Sequence, residues 1–256
     1  MEPDRRVLVT GASSGIGREM ARQLAGRRWR VAVTGRREAE LRETARAVEQ
    51  AGGRCLVLVG SVTEPLAVNR HYASIKEQWG GLDWAILNAG VGDSVSARSL
   101  RAETYRKVFS TNVIGVVNWL EAVLPGMIEA ESGTVAGISS LAGWRGLPGA
   151  GAYSASKAAL GTLLESTRVD LRGTGVSVVT VCPGFIRNGS GSAEDDAGKP
   201  FLLDLEDGAR RILAGIERKK RIVHFPWQLS YLMKYVVHNL PGSSYDWLMG
   251  KVAPPR

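Results

Sequence analysis

"TGASSGIGREMARQL", residues 10–24, decides how this chain folds. The apolar run 5–11 leads into it, and its first half carries Gly11, Gly15 and Gly17. Gly11 permits a tight turn, Gly15 lets the backbone approach a pyrophosphate, and Gly17 allows close helix packing. A helix N-terminus presents free N–H groups and partial positive charge to phosphates. The stretch therefore predicts a strand–turn–helix unit that binds a dinucleotide.

Short apolar runs alternate with longer helical segments along the rest of the chain. The predicted strands are residues 5–11, 30–35, 54–60, 82–90, 133–140 and 176–184. The predicted helices are residues 16–27, 37–51, 64–79, 101–129 and 152–173. Each strand is a nearly continuous apolar run, which is typical of strands buried on both faces. Repeated strand–helix units predict an α/β fold: a single-domain, Rossmann-like, doubly wound parallel sheet over residues 1–256, with helices on both faces.

The last quarter of the chain departs from this alternation. A polar segment, residues 188–200, leaves the sixth strand at the carboxyl edge, where open parallel sheets bind ligands. We predict a substrate lid region over 188–220, with a plain surface loop as the alternative for the polar segment. The remaining predicted elements are a helix at 204–219, a strand at 221–226, and a C-terminal helical extension at 227–256 with helices at 227–239 and 243–252.

Composition indicates a globular protein with a sizeable core. Hydrophobic residues make up 44% and charged residues 23% of the 256. No run approaches 18 uncharged apolar residues and the charged N-terminus lacks signal-peptide features, so we expect no membrane span and a cytoplasmic location. Cys55 and Cys182 lie in apolar runs and are expected to be reduced, buried thiols. His71, His224 and His238 are scattered, so no metal site is expected.

The formal net charge is +8, and much of the excess lies near the C-terminus. Residues 199–256 hold ten Lys and Arg against five Asp and Glu, which leaves +5. Nucleic-acid binding is not favoured, because no nucleic-acid-binding module is visible. A solvated surface, or a basic rim that attracts a phosphorylated cofactor or an anionic membrane, accounts for the charge.

The second predicted strand indicates which dinucleotide is bound. A ribose 2′-hydroxyl requires an acidic acceptor about 20 residues beyond the glycine turn. Gly35 occupies that position here, and Arg36 and Arg37 follow it. A guanidinium suits a 2′-phosphate, so the sequence predicts NADP(H). Arg36 is the preferred contact, because Arg37 begins the next helix and is expected to point towards solvent.

Several short motifs together resemble one family. "TGASSGIG", "NAG" at 88–90, Asn112 in "TNVIG", Ser140, "YSASK" at 153–157 and "PG" at 183–184 occur in the order and spacing of the short-chain dehydrogenase/reductase family. The match covers about residues 5–190. The resemblance implies a seven-stranded parallel sheet and hydride transfer between a nicotinamide and an alcohol or carbonyl.

The Tyr153–Lys157 pair fits this chemistry. A carbonyl that accepts hydride needs a proton donor, and a phenol with a pKa of about 10 is a poor one. The two residues share a helix face, and two unit charges at ~4 Å interact by roughly 4 kcal/mol at an effective dielectric of about 20. Lys157 is therefore expected to lower the pKa of Tyr153 by up to roughly three units.

The other catalytic residues come from the resemblance and the strand pattern. Ser140 lies at the end of the fifth strand and is expected to donate to the substrate oxygen. Its neighbour Ser139 is expected on the opposite face. The resemblance implies that Lys157 also holds the nicotinamide ribose, and that Asn112 opens its helix to hold a water that relays protons.

The predicted contacts divide into two sets. The cofactor contacts are Gly11, Ser13, Ser14, Gly15, Ile16, Gly17, Arg36, Arg37, Ser61, Val62, Asn88, Ala89, Gly90, Tyr153, Lys157, Pro183, Gly184, Ile186 and Asn188. The substrate contacts are Ser140, Leu141, Trp144, Leu147, Tyr153 and Phe185. Two positions depart from the family pattern. Ser61 stands where many family members have an Asp, and Asn188 stands where they often have a Thr.

These observations predict an NADP(H)-dependent oxidoreductase that interconverts a carbonyl and a secondary alcohol on a hydrophobic small molecule. The alternative is a non-catalytic NADP(H)-binding sensor or structural protein of the same fold. The resemblance also implies a homodimer or homotetramer. The aromatic and basic extension is expected to pack on its own chain or on a partner subunit, with a substrate entrance or contact with a membrane surface as the alternatives.

Overall fold

Seven parallel strands form one sheet in the computed structural model, which describes residues 5–187 and 198–252. The strand order is β3-β2-β1-β4-β5-β6-β7. The strands are β1 Arg6–Thr10, β2 Arg30–Gly35, β3 Arg54–Val59, β4 Trp84–Leu87, β5 Gly133–Ile138, β6 Val176–Pro183 and β7 Ile222–Phe225. The order reverses between β1 and β4, which creates the crevice where such sheets bind ligands. The predicted doubly wound α/β fold is confirmed.

Helices cover both faces of the sheet. They are α1 Gly15–Ala25, α2 Glu38–Gln50, α3 Pro65–Trp79, α4 Ala102–Phe109, α5 Gly115–Glu129, α6 Gly151–Asp170, α7 Leu205–Glu217, α8 Trp227–Tyr231 and α9 Gly242–Val252. The helix predicted over 101–129 contains a π-helical turn, Ser110–Ile114, between α4 and α5. The helix predicted over 227–239 continues from α8 through a π-helical turn, Leu232–Val236, into a 3₁₀ turn, Val237–Asn239.

Two apolar layers form the core, one on each face of the sheet. Alternation along β1 sends Val7 and Val9 into the layer under α1 and α7, and Leu8 into the layer under α3, α5 and α6. Trp119 of α5 and Leu164 of α6 are among the largest fully buried side chains of the second layer. Because both faces of these strands are covered, their sequences lack the in–out alternation of a half-exposed sheet.

The continuous helix Ala102–Glu129 is long and apolar enough to cross a membrane by length and composition alone, with a hydropathy of 1.3 over its most apolar window. Many of its apolar residues form part of the protein core. Val116, Trp119, Leu120 and Val123 pack in the core beneath the sheet. Burial in the core explains the composition of this helix.

The predicted lid region needs a correction. Residues 188–197 lie outside the described residues. Residues 205–217 form α7, whose Ile212, Leu213 and Ile216 are completely buried in the layer shared with α1. This part of the region belongs to the packed core, because an amphipathic helix at this point covers one face of the sheet.

Candidate active site

The glycine turn after β1 has the backbone that a close phosphate contact requires. Gly11 has φ 65° and Gly15 has φ 55°, both in the left-handed region that favours glycine. A Cβ on Gly11 would lie 2.7 Å from Ala89 Cα. Asn88 Nδ2 donates to Thr10 O at 2.9 Å and to Gly11 O at 3.3 Å, which holds the turn in place. The turn and the N-terminus of α1 fit the pyrophosphate of a dinucleotide.

Arg37 contacts the glycine turn, which the sequence did not predict, although its side chain remains 54% exposed to solvent, as predicted. Its Nη2 donates to Ser13 Oγ at 3.0 Å and to Ser14 Oγ at 2.8 Å. Its Nη1 pairs with Glu40 Oε1 at 3.3 Å. The extended backbone of Arg37 before α2 sends its side chain back over the turn. Arg36 also lines the cavity at this end.

A cavity of about 1120 Å³ runs along the carboxyl edge of the sheet, and it brings the predicted residues together. The predicted cofactor contacts that line it are Gly11, Ser13, Ser14, Gly15, Ile16, Gly17, Arg36, Arg37, Ser61, Val62, Asn88, Ala89, Gly90, Tyr153, Lys157, Pro183, Gly184 and Ile186. Asn188 lies outside the described residues. The predicted substrate contacts that line it are Ser140, Leu141, Leu147, Tyr153 and Phe185.

Trp144, the other predicted substrate contact, does not line this cavity. Its ring meets the His224 ring edge-on, with 5.8 Å between the centroids. Its carbonyl oxygen accepts a hydrogen bond from His238 Nδ1 at 2.7 Å. The short 3₁₀ turn Leu141–Gly143 directs Leu141 into the cavity, whereas Trp144 contacts the C-terminal extension.

Asn112 lies at the centre of the π-helical turn between α4 and α5 and is completely buried. Its Oδ1 accepts from Val91 N at 2.8 Å, and its Nδ2 donates to Val91 O at 2.9 Å and to Ser156 Oγ at 3.0 Å. The helix is therefore opened at Asn112, as the resemblance implies. The side chain ties the loop after β4 to α6, which carries Tyr153.

Lys157 is buried and forms part of the cavity wall. Its Nζ donates to Ile138 O at 2.7 Å. Burial lowers the pKa of its ammonium from 10.5 to about 8. A Cβ on Gly90 would lie 3.3 Å from both Lys157 Nζ and Asn112 Oδ1, so a larger side chain at that position would crowd both groups.

Tyr153 shares the helix face of Lys157, whose Nζ lies 5.7 Å from the phenol ring centroid. Burial raises the pKa of the Tyr153 phenol, and a hydrogen bond with the Ser140 side chain lowers it by a smaller amount. The prediction that Lys157 lowers the pKa of Tyr153 is not met in the structure. Desolvation of the phenol is the largest influence on its pKa, and burial also lowers the pKa of the Lys157 ammonium, which still carries its charge below pH 8.

The two serines after β5 face different partners, as strand alternation predicts. Ser139 Oγ donates to Lys157 O at 2.8 Å and is buried. Ser140 Oγ accepts from Ala142 N at 3.1 Å and lies beside the phenol of Tyr153. Only Ser140 therefore presents its hydroxyl to the reacting centre.

Several residues at or beside the cavity were not predicted from the sequence. Asn118 Nδ2 donates to Val62 O at 2.8 Å and fixes one cavity residue. A polar residue in an otherwise apolar helix is the signal that could have found it. Leu229 and Met233 of the C-terminal extension also line the cavity. The apolar composition of the extension did not indicate which of its residues would do so.

Neither cysteine resembles a reactive thiol. Burial raises the pKa of Cys55 to about 12 and that of Cys182 to about 11. In the part of the chain that the structure describes, no group of three or more His, Cys, Asp or Glu residues is arranged to hold a metal ion.

Comparison with known proteins agrees with this geometry. The family model for the short chain dehydrogenases matches residues 5–197. An uncharacterized oxidoreductase of Myxococcus xanthus is 44% identical over 226 residues, covering 88% of this chain and 89% of the relative.

Two further relatives have named activities. The ketoacyl reductase HetN of Nostoc is 31% identical, covering 78% of this chain and 70% of the relative. The 2-(R)-hydroxypropyl-CoM dehydrogenase of Xanthobacter autotrophicus is 36% identical, covering 71% of this chain and 74% of the relative. The chain belongs to the short-chain dehydrogenase family, whose oxidoreductases interconvert alcohols and carbonyls with a nicotinamide cofactor.

Proposed function

We propose that this chain is an NADP(H)-dependent oxidoreductase that reduces a carbonyl on a hydrophobic small molecule to a secondary alcohol. The observation that carries the proposal is the placement of Tyr153, Ser140 and Lys157 along one wall of the cavity that begins at the glycine turn. A protein that only binds a dinucleotide has no use for a buried phenol beside a serine hydroxyl.

Side chains of the protein supply the proton that the carbonyl oxygen needs when it is reduced. A nicotinamide dinucleotide held at the glycine turn would supply the hydride for the carbonyl carbon. The Ser140 hydroxyl donates a hydrogen bond to the carbonyl oxygen and stabilises the developing charge. Tyr153 gives its proton to the same oxygen, which completes the alcohol. The phenol is protonated at neutral pH, as a donor must be, because its ordinary pKa is about 10 and burial raises it further. Below pH 8 the Lys157 ammonium stabilises the phenolate that remains.

Two arginines support the choice of NADP(H). Arg36 and Arg37 line the end of the cavity formed by the glycine turn. Arg37 also places its guanidinium on the hydroxyls of Ser13 and Ser14. A 2′-phosphate at this end would meet two guanidinium groups, and charge-assisted hydrogen bonds to phosphate are among the strongest that proteins make.

The exposed aromatic side chains of the extension support contact with an anionic membrane surface. Trp227, Tyr231 and Tyr235 form a ladder with ring centroids 6.4 and 5.2 Å apart. Each is more than half exposed, and Lys234 Nζ lies 5.4 Å from the Tyr235 centroid. Amphipathic aromatic rings and lysines are typical of membrane interfaces. Salt-sensitive co-sedimentation with anionic vesicles, but not with neutral ones, would support this contact, and its absence would refute it.

The oxidation of NADPH in the presence of candidate carbonyls tests the proposed function. A panel of ketones, quinones and aldehydes should include compounds that accelerate the loss of NADPH absorbance, and Tyr153→Phe should abolish that acceleration. Tight NADPH binding without turnover of any member would favour the non-catalytic alternative.

A further inference from the structure

The C-terminal extension forms part of the cavity wall. Leu229 of α8 and Met233 of the π-helical turn line the cavity together with Leu147 and Phe185. A Cβ on Gly184 would lie 3.2 Å from Leu229 Cδ2, so the extension packs directly on the chain that leaves β6. These four lining side chains are apolar, and they present no hydrogen-bond donor to a ligand.

A clamp of polar contacts holds the extension in this position. Arg145 donates from Nη1 to His238 O at 2.7 Å and from Nη2 to Leu240 O at 3.2 Å. The guanidinium carbon lies 4.3 Å from the centroid of the Tyr245 ring. The Tyr245 hydroxyl in turn donates to Gly146 O. One arginine therefore fixes two backbone carbonyls and one aromatic ring of the extension.

The clamp is anchored next to the reacting centre. Arg145 and Gly146 belong to the loop that leads into α6. The backbone N–H of Leu147 donates to Ser154 Oγ at 3.3 Å, and Ser154 directly follows Tyr153. The distance between the apolar wall and the phenol is therefore set through this loop.

We propose that the extension and this loop enclose an apolar subsite that takes the hydrocarbon chain of the carbonyl substrate, with Arg145 as its positioning residue. The inference rests on the proposed carbonyl reduction and names the substrate class. Unbranched Met233 adapts to chains of different shape. Lys107, a cation that also lines the cavity, is paired with Asp93 at 3.8 Å, which reduces its attraction for an anionic substrate.

A chain-length series of methyl ketones, from 2-butanone to 2-decanone with NADPH, tests the subsite. Each methylene that enters an apolar subsite should raise kcat/KM by roughly fourfold until the subsite is full. Met233→Ala should flatten this dependence mainly through KM, so that kcat/KM falls more for 2-decanone than for 2-butanone. Leu232→Ala is the matched control, because Leu232 is the neighbouring residue, is 48% exposed and does not line the cavity.

Two further variants test the clamp. Arg145→Ala should raise KM for the long ketones and leave 2-butanone nearly unaffected. Tyr245→Phe removes only the hydroxyl that bonds Gly146 and should have the same effect to a smaller degree, without the folding risk of losing Arg145. Equal changes for short and long ketones would show a merely structural role and overturn the assignment of Arg145.

The outcomes separate this inference from the proposed function. Turnover of 2-butanone with no dependence on chain length, or an identical dependence in Met233→Ala, overturns the subsite and leaves carbonyl reduction standing. If neither these ketones nor any member of the ketone, quinone and aldehyde panel is reduced, the proposed function fails, and thermal unfolding with the matching 2-alkanols then tests the subsite. A rise in Tm with chain length that Met233→Ala removes supports the subsite; a Tm that does not depend on chain length overturns it.

Discussion

The side chain of Asn112 hydrogen-bonds to both polar groups of the Val91 backbone, at 2.8 Å from N to Oδ1 and 2.9 Å from Nδ2 to O. The same Nδ2 reaches Ser156 Oγ at 3.0 Å. Because the π-helical turn places this amide in the core, one residue joins the loop after β4 to α6. The geometry of Tyr153 and Lys157 on α6 depends on that connection.

Asn112→Ala should reduce both stability and activity. It leaves the N–H and carbonyl of Val91 without their partner in a part-buried environment, which costs about 2 kcal/mol of unfolding free energy. Calorimetry should therefore show a lower Tm, and steady-state kinetics a lower kcat. Asn69→Ala, on the exposed side of α3, should leave both unchanged. An Asn112→Ala protein with unaltered Tm and kcat would contradict the role of this amide.

The charge on Lys157 should produce a pH dependence. The folded-state pKa of Lys157 is about 8, so its amine carries a positive charge below pH 8 and becomes neutral above it. The kcat/KM for carbonyl reduction should fall as the pH rises through about 8. Lys157→Arg keeps a charge at all these pH values, so the fall should move to higher pH even though the maximum rate is lower. A fall with the same midpoint in both proteins would assign it to another group.

Cofactor preference should depend on Arg36 and Arg37. Removing one guanidinium from a phosphate typically costs 1.5–3 kcal/mol, so either alanine variant should raise KM for NADPH by roughly ten- to a hundredfold. KM for NADH should stay nearly constant, because NADH lacks the 2′-phosphate. Arg42→Ala provides the control, since Arg42 lies exposed on α2 and pairs with Glu38. An unchanged NADPH/NADH ratio in both variants would refute the assignment of these arginines to the 2′-phosphate.

Most of the fold and much of the site could be predicted from local sequence patterns. The apolar runs predicted the strands because each strand is buried on both faces. The glycine turn and the Tyr153–Lys157 spacing are determined by neighbouring residues, so a single sequence reveals them. The order and spacing of the family motifs then indicated which loops meet at the carboxyl edge of the sheet.

The remaining features depend on contacts between distant segments. Arg37 turns back onto Ser13 and Ser14, and Arg145 reaches carbonyl groups more than 90 positions away. The pKa of Tyr153 depends on burial by the whole site, which the i,i+4 spacing does not report. The side chain of Trp144 was misplaced for a related reason, because its ring meets His224 of β7, 80 positions away, and its carbonyl meets His238 of the extension.

The exposed face of α5 and α6 should form a homo-oligomer interface. Val117 of α5 and Val169 of α6 are exposed, as is Ile114 of the π-helical turn before α5, and a Cβ on Gly161 of α6 would meet nothing within 4 Å. Light scattering should give at least twice the chain mass of 27.5 kDa, which is 55 kDa for a dimer. Ala158→Arg should shift the mass towards the monomer by placing a charge on this face. A monomeric unaltered protein would refute the expectation.

The central claim is that the Tyr153 phenol is the proton donor of a carbonyl reductase. Single-turnover measurement of NADPH oxidation by Tyr153→Phe, with a carbonyl that the unaltered protein reduces, tests it most directly. A general acid contributes roughly 10²- to 10⁴-fold, so we predict at least a hundredfold loss in rate with NADPH affinity nearly unchanged. A rate within tenfold of the unaltered protein, at the same NADPH affinity, would contradict the assignment of Tyr153 as the acid.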